Sequence, residues 1–319
     1  MNYISVCSGI EAASVAWHPL GWNCLGVSEI EPFPSAVLAH HYPNVANFGD
    51  MTKFKEWKIN ETVNLLVAGT PCQSFSVCGL RQGLKDSRGN LMLTFLKIAQ
   101  HYKPKWIIWE NVCGVLSSNK GKDFGSLLGG LGELGYGFAY RVLDAQWVRT
   151  HRHPKAVPQR RRRVFVVGCA GDYISAAKVL FERESLSRYS APRRAIRKGI
   201  AADVERCFTV AIQATVIGRQ DHNGPSGSGC SDSGEMFTLT TNDIHAVAIS
   251  KPTQVRRLTP TECERLQGFP DGWTAIPWKK KPADQCPDGP RYKALGNSMA
   301  VNCMEWLGER IQAVESGTL

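Results

Sequence analysis

Short apolar runs alternate with helix-like stretches along the first 170 residues. The runs lack the alternation of apolar and polar residues seen in strands with one solvated face, and they are typical of strands buried on both faces. The pattern therefore predicts an α/β fold with a mostly parallel sheet. The expected strands span residues 3–7, 24–28, 63–68, 106–109 and 164–167, with helices over 11–20 and 35–41.

The pattern changes after about residue 170. Residues 183–198 are rich in arginine, and residues 218–234 consist largely of Gly, Ser, Asn and Asp, which is typical of a long loop. Short β-like pieces flank this loop, and a helical pattern returns over residues 299–311. We therefore expect two domains: residues 1–170, completed by 290–319, and a smaller, irregular, β-containing domain over residues 171–289.

Composition narrows the class of protein. The chain has 319 residues, of which 43% are hydrophobic and 21% charged, so a disordered chain is excluded. No run approaches the ~18 apolar residues of a membrane span, and no signal peptide is evident, so we expect a soluble cytoplasmic protein. Lys and Arg number 38 against 28 Asp and Glu, giving a net charge of +10. Both a polyanion-binding protein and a merely basic enzyme fit this charge.

The eleven cysteines do not form a recognisable framework. They are scattered and odd in number, and no two have the spacing Cys-x-x-Cys. A structural zinc site and a disulfide-stapled fold are therefore not expected, and no metal is predicted.

Polar or reactive residues follow every expected strand. Ligands of open α/β sheets bind beyond the carboxyl ends of the strands, so five such positions in a row favour an active site. The positions are Ser8-Gly9, Glu29, Asp50 after an expected additional strand, Pro71-Cys72-Gln73 and Glu110-Asn111.

The first turn, residues 7–11, indicates the class of cofactor. It has one glycine, Gly9, and lacks the G-x-G-x-x-G run that brings the backbone close to a pyrophosphate, which disfavours NAD and FAD. Glu29 follows Gly9 by twenty residues, where a Rossmann-like site places an acid on a ribose hydroxyl. An adenosine cofactor without phosphates remains compatible.

Cys72 is the candidate nucleophile, because it follows a proline at the end of a buried strand. Arg81, Lys85 and Arg88 follow on the same segment, and neighbouring positive charge favours the reactive thiolate. Most of the other cysteines are expected to be buried structural residues.

The run Gln159 to Arg163 contains four consecutive arginines. Side chains of a strand alternate between faces, so Gln159, Arg161 and Arg163 are predicted to share one side. Such guanidinium groups can bind a carboxylate, a phosphate or a developing oxyanion. Taken alone, however, the run is better explained by a solvated basic edge.

Five segments, in order, resemble the motifs of DNA (cytosine-5) methyltransferases of the phage and bacterial type. Only residues 171–250 lack a counterpart, and five motifs in one order are highly specific. The segments are Gly69–Ser76 around Cys72, Glu110-Asn111-Val112, Gln159–Arg163, Arg257–Pro270 and Tyr292–Ser298.

The resemblance implies a Rossmann-like S-adenosylmethionine-dependent methyltransferase fold. Two positions depart from the family pattern: Cys7 replaces an aromatic residue, and Glu11-Ala12 replaces Gly-Gly. The implied cofactor contacts are Cys7, Ser8, Gly9 and Ile10 on the methionine side, Glu29 at the ribose hydroxyls and Asp50 at the adenine amine, with Asn297 and Ser298 closing the site. Further expected cofactor contacts are Ile30, Met51, Pro71 and Leu91.

The resemblance also implies the chemistry. Cys72 would add to C6 of a cytosine flipped out of double-stranded DNA, Glu110 would act at N3, Arg163 at O2, and Arg161 would orient. Residues 171–255 would recognise the target sequence. The expected DNA contacts are Gln73, Ser74, Ser76, Arg81, Arg88, Arg193 and Arg194.

We expect a monomer, with a cognate restriction endonuclease as a candidate partner. Residues 149–155 look like an insertion, either a DNA-facing basic loop or a plain surface loop.

Three alternatives differ in class. An RNA (cytosine-5) methyltransferase on the same fold would share Cys72, Glu110 and the arginines, although its recognition region is usually smaller. A catalytically silent DNA-binding homologue is disfavoured by the intact Cys72, Glu110 and Arg163. A papain-like hydrolase would need a histidine base, which no motif here indicates.

Overall fold

The computed structural model describes residues 1–71, 91–182, 210–213, 230–231, 236–239, 245–250 and 253–319. Its strands are β1 (Asn2–Val6), β2 (Asn23–Ser28), β3 (Leu65–Ala68), β4 (Trp106–Val112), β5 (Tyr136–Asp144), β6 (Arg162–Ala170), β7 (Val210–Ile212), β8 (Cys230–Ser231), β9 (Ala246–Ser250) and β10 (Thr253–Arg257). Its α-helices are α1 (Ala12–Trp17), α2 (Pro32–His41), α3 (Leu91–Tyr102), α4 (Lys122–Glu133), α5 (Tyr173–Leu180), α6 (Pro260–Gln267), α7 (Asp288–Asn297) and α8 (Val301–Glu315).

The larger sheet has six strands in the order β2-β1-β3-β4-β6-β5. The strands β2, β1, β3 and β4 are parallel to one another, and β6 runs antiparallel to β4. The expectation of an α/β fold with a mostly parallel sheet is therefore confirmed. All four residues of β3 are buried, as its uninterrupted apolar sequence predicted.

The core forms between this sheet and two helices. Helix α3 buries Met92, Phe95, Leu96 and Ala99, which have the spacing of one face of an amphipathic helix. They pack with α4 residues Leu127 and Leu131 and with strand residues Ile4, Val6, Leu66, Ile107, Trp109 and Val166.

Three details of the expected sheet are corrected. Asp50 does not directly follow a strand: residues 43–50 contribute only an isolated bridge between Val27 and Asn47, because this short segment has too few apolar residues to add a strand. Glu110 and Asn111 lie within β4 rather than after it, because pairing with β6 extends the strand to Val112. Strand β5 was not predicted, since only its ends carry buried side chains.

The described chain divides into two compact units. One comprises Met1–Leu143, Arg162–Leu186 and Met304–Leu319, and the other comprises Asp144–Arg161 and Ser187–Cys303. These bounds differ from the expected domains: residues 144–161 and 290–303 group with the second unit, and residues 171–186 with the first. Within the second unit, the Asn302 side-chain amide donates to the carbonyl oxygens of Ala145 and Val148, both at 2.8 Å.

The second unit contains a four-stranded sheet in the order β10-β9-β7-β8, with antiparallel pairing. Helix α6 starts with a capping box, in which the Thr259 hydroxyl accepts from the Glu262 amide and the Glu262 carboxylate accepts from the Thr259 amide. The fully buried Glu264 of α6 accepts from the Gly272 amide at 2.7 Å and from Arg291 of α7 at 3.2 Å. This ion pair joins the two helices.

None of the helices in the described part of the chain has the length and apolarity needed to span a membrane.

Candidate active site

The turn after β1 presents open backbone at the carboxyl edge of the sheet. Gly9 has a φ of 57°, and a Cβ built there would meet nothing within 4 Å. The Glu11 amide closes the turn on the Ser8 carbonyl at 3.0 Å, and the Ser8 amide donates to the Ser28 carbonyl at 3.2 Å. A ligand can therefore approach the backbone at Gly9 without displacing a side chain.

The Glu29 carboxylate is held between two backbone amides. Its Oε2 accepts from the Gly9 amide at 2.8 Å, and its Oε1 accepts from the Glu31 amide at 2.7 Å. These bonds place a negative charge beside the β1 turn and leave further lone pairs for hydroxyl donors. The adjacent Ile30 is 70% exposed and offers an apolar surface at the same edge.

Asp50 caps the short 3₁₀ helix Met51–Glu56. Its carboxylate accepts from the backbone amide and the hydroxyl of Thr52, at 2.9 and 2.8 Å. The bond from the backbone amide is the main cause that lowers the pKa of Asp50. The exposed, ionised carboxylate can accept a hydrogen bond from an amino group.

Cys7 contacts the buried Met51, with its Sγ 3.5 Å from the Met51 Sδ. This contact joins the β1 turn to the segment after Asp50. Burial, together with the negative charge of Glu29, raises the pKa of Cys7 to about 12. Cys7 therefore stays a neutral thiol and does not compete as a nucleophile.

The residues just before Cys72 are tied to β4. The Trp109 indole donates to the Thr70 hydroxyl at 2.9 Å, and the Asn111 side-chain amide donates to the Thr70 carbonyl at 2.9 Å. Thr70 is 4% exposed, so the chain leaves the sheet toward Pro71 from a fixed position. Leu91 starts α3 and packs against the core.

Glu110 of β4 pairs with Arg163 of β6. Val112 is the direct cross-strand partner of Arg163, so Glu110, two residues before Val112, is its diagonal neighbour on the same face. Arg163 Nε lies 3.3 Å from Glu110 Oε1, and the two side chains are 14% and 11% exposed. The site thus combines a fixed carboxyl group and a fixed guanidinium, both largely removed from water.

Arg161 has a different environment, in the second unit. It is 3% exposed, and its guanidinium donates to the carbonyl oxygens of Gly296 and Ser298 at 3.3 and 2.5 Å. These carbonyls terminate α7, next to the exposed Asn297. Burial alternates along the arginine run: residues 159 and 161 are buried, 160 and 162 are exposed, and 163 is half-buried. The expected strand, however, starts only at Arg162, and Arg161 and Arg163 have different partners.

A buried hydrogen-bond network surrounds Glu11 and was not predicted from the sequence. This residue caps α1 with a φ of 63° and is 1% exposed. Its Oε1 accepts from the Ser14 amide and hydroxyl, both at 3.1 Å, and the Ser14 hydroxyl lies 2.6 Å from the Tyr3 hydroxyl. Burial raises the pKa of Glu11 to about 7. An acid three residues before a serine, at the start of a helix, is the signal that could have identified this cap.

Eight predicted site residues lie outside the described residues: Cys72, Gln73, Ser74, Ser76, Arg81, Arg88, Arg193 and Arg194. Their assignments remain predictions.

The sheet and the groups at its carboxyl edge define a methyltransferase fold. The structure resembles that of the S. pombe Dnmt2 methyltransferase with a TM-score of 0.65, at 18% identity, covering 98% of this chain and 99% of that one. The family model "C-5 cytosine-specific DNA methylase" matches residues 1–202 and 188–313. The chain belongs to this family of cytosine methyltransferases.

Two relatives illustrate the range of the similarity. The chain is 36% identical to the DNA N-6-adenine-methyltransferase of Escherichia phage P1 over 97% of its own length, and it spans 61% of that relative. It is 26% identical to the type II methyltransferase M.HpaII of Haemophilus parainfluenzae, over 97% of this chain and 88% of that one.

The cofactor of this family is S-adenosylmethionine, and the described residues fit it. The open backbone at Gly9 leaves room for the methionine part, and the carboxylate of Glu29 suits the ribose hydroxyls. The exposed Ile30 can cover the adenine ring, whose amino group suits the ionised Asp50.

Proposed function

We propose that the protein methylates C5 of cytosine in double-stranded DNA. The observation that carries this proposal is the pairing of Glu110 with Arg163, which supplies a hydrogen-bonding acid and a cation beside the strand that leads to Cys72. A cytosine ring presents N3 and O2 on one edge, and this pair matches those two atoms.

The ring carbon C5 is too weak a nucleophile to react unaided. Addition of the Cys72 thiolate to C6 forms an S–C6 bond and moves the electron pair of the C5–C6 double bond to C5. Glu110 donates a hydrogen bond or a proton to N3, and Arg163 holds O2, where negative charge develops. Bound S-adenosylmethionine supplies an electrophilic methyl group at this position.

Release requires two further changes. After C5 carries the methyl group, a base removes the C5 proton, and the freed electron pair restores the ring double bond as the S–C6 bond breaks. Cys72 is then regenerated as a thiolate. The edge and face of the cytosine are inaccessible within a duplex, so the base is flipped into the pocket.

The name of the phage P1 relative raises adenine N6 as a second target. An exocyclic amine carries its own lone pair and needs no covalent adduct to accept a methyl group. The segment Gly69–Ser76 supplies a cysteine, and the Glu110–Arg163 pair supplies partners for N3 and O2 of cytosine. Methylation at N6 of adenine requires neither the cysteine nor these partners. Cytosine C5 is therefore the favoured target.

Duplex DNA is favoured over RNA by the size of the region between Gly171 and Val255. About 80 residues separate the motifs there, enough for a separate recognition element, and we propose that residues 171–289 contribute the sequence recognition.

We further propose that the protein acts as a monomer in the cytoplasm of a bacterial or phage-infected cell, with a restriction endonuclease as a candidate partner.

The test uses methyl-labelled S-adenosylmethionine with duplex DNA or tRNA. We expect labelled DNA only, and digestion to nucleosides should give 5-methylcytosine. Label in N6-methyladenine would overturn the base assignment, and label in tRNA alone would overturn the substrate. Binding of both DNA and cofactor without any transfer would support the silent homologue.

A further inference from the structure

Residues 145–163 contain seven Lys or Arg and no Asp or Glu. The whole chain carries 38 basic and 28 acidic side chains, so this segment contains much of the excess positive charge of the protein. Three of the seven, Arg149, Arg152 and Lys155, lie in residues 149–155, which we name the basic loop. The proposed mechanism does not use these three side chains.

The start of the basic loop is anchored to the first turn of α8. Asn302 is fully buried, and its side-chain amide donates to the carbonyls of Ala145 and Val148, both at 2.8 Å. Val148 and Thr150, which flank Arg149, are themselves buried. The backbone is therefore held on both sides of the first cation.

A tight turn holds the middle of the loop. The His153 amide donates to the Thr150 hydroxyl at 3.0 Å, and the Thr150 and Ala156 amides donate to the His153 carbonyl at 3.2 and 2.9 Å. His153 also packs on the end of α6: a Cβ on Gly268 would lie 3.2 Å from its Nε2. This close packing holds the turn against the end of α6, within the second unit.

The end of the loop leads into a third set of contacts. Backbone bonds of 3.0 Å join the Arg160 amide to the Met236 carbonyl and the Met236 amide to the Pro158 carbonyl. The side chains of Arg149, Arg152 and Lys155 are exposed, and so is that of Arg160 beyond the loop.

We propose that the basic loop is a preorganised phosphate-binding element that contacts the sugar–phosphate backbone of the DNA substrate. The inference rests on the proposed function and adds a partner surface to it. Guanidinium and ammonium groups suit phosphate oxygens, and three such side chains are exposed within seven consecutive residues of the loop. Because the loop is already ordered, little conformational entropy is lost when phosphate binds. Such contacts position the protein and add no sequence discrimination.

The test compares two triple variants with the same change of charge. Arg149→Gln/Arg152→Gln/Lys155→Gln neutralises the basic loop, and the control Lys55→Gln/Lys58→Gln/Lys103→Gln neutralises three exposed lysines of the first unit. The Kd for a duplex with the target site, and for one without it, is measured over a series of salt concentrations. Unchanged affinity for S-adenosylmethionine shows that each variant is folded.

We expect the loop variant to bind both duplexes more weakly by a similar factor. The slope of log Kd against log salt should fall by about 2–3, which is about 0.9 for each lost phosphate contact. The control should keep the wild-type slope. A loop variant with the wild-type slope, or a loss of affinity confined to target DNA, would overturn the proposal. Binding needs no methyl transfer, so this result is independent of whether wild-type enzyme forms 5-methylcytosine.

Discussion

Arg163 Nε lies 3.3 Å from Glu110 Oε1 across two antiparallel strands, and both side chains are largely withdrawn from water. The pairing of β4 with β6 thus holds two opposite charges side by side. An acid and a cation held in this way by backbone pairing need little reorganisation during reaction, which is the main source of electrostatic catalysis.

Glu110→Gln should reduce kcat strongly and stability moderately. The amide cannot protonate N3, so we expect a loss of about 10²–10⁴-fold in kcat. Arg163 also loses its carboxylate, which should lower the free energy of unfolding by about 1–3 kcal/mol. Steady-state kinetics and urea unfolding measure the two effects. The matched control is Glu133→Gln at the exposed end of α4, which should change neither. A Glu110→Gln enzyme with wild-type kcat would remove Glu110 from the mechanism.

Cys72→Ala should abolish methyl transfer and leave binding of DNA and cofactor largely intact, because only the thiolate forms the adduct. Duplex DNA with 5-fluorocytosine at the target should trap the wild-type enzyme, since the fluorine at C5 is not eliminated as a proton is. A denaturing gel should show the adduct only when S-adenosylmethionine is present. Cys78→Ala should still be trapped; an adduct through Cys78 would contradict the assignment.

Thr70→Val should loosen the attachment of the segment that carries Cys72. The substitution removes the acceptor of the Trp109 indole, and leaving this buried donor unsatisfied should cost about 1–3 kcal/mol of stability. We expect a lower kcat with little change in KM for S-adenosylmethionine. Thr70→Ser keeps the hydroxyl and should restore turnover. Equal losses in the Val and Ser variants would show that the indole bond is irrelevant.

Glu11→Gln should change how stability depends on pH. Burial raises the pKa of Glu11 from its ordinary 4.5 to about 7 in the folded state. The unfolded chain releases this proton first, so the stabilisation is present below pH 4.5 and is lost as pH rises through about 7. The shift corresponds to about 3 kcal/mol. Gln cannot ionise, so urea unfolding between pH 5 and pH 8 should show a flatter profile. Parallel profiles for wild type and variant would mean that Glu11 titrates normally.

Arg161→Lys should act on cofactor binding more than on chemistry. Arg161 donates through Nη2 to the Gly296 and Ser298 carbonyls and through Nη1 to the Leu239 carbonyl, whereas lysine has one nitrogen on a shorter side chain, so the Asn297-Ser298 segment loses support. We expect a higher KM for S-adenosylmethionine with a smaller change in kcat. The exposed Arg160 provides the control, because Arg160→Lys should leave both constants close to wild type. A loss of kcat without a change in KM for S-adenosylmethionine would instead indicate that Arg161 acts on the cytosine during the reaction.

The sequence by itself determined the parallel part of the sheet, because strands such as β3 and β4 are buried on both faces and carry uninterrupted apolar residues. It failed at β5, whose central residues are only partly buried, and it wrongly placed a strand before Asp50. In both places the local pattern is weak, and pairing with a neighbouring strand decides the outcome. Glu110 and Arg163 could also be identified as site residues from the sequence, because they lie in motifs whose order along the chain is specific to the family.

Only the tertiary structure decided how those residues meet. The 52 residues between Glu110 and Arg163 are spanned by the antiparallel pairing of β4 with β6, and no local signal fixes that register. The Thr70 contacts, the second-unit environment of Arg161 and the anchoring of the basic loop by Asn302 arise in the same way. Apolar periodicity reports which residues are withdrawn from water, whereas hydrogen bonds and ion pairs depend on distances that exist only after the chain has packed.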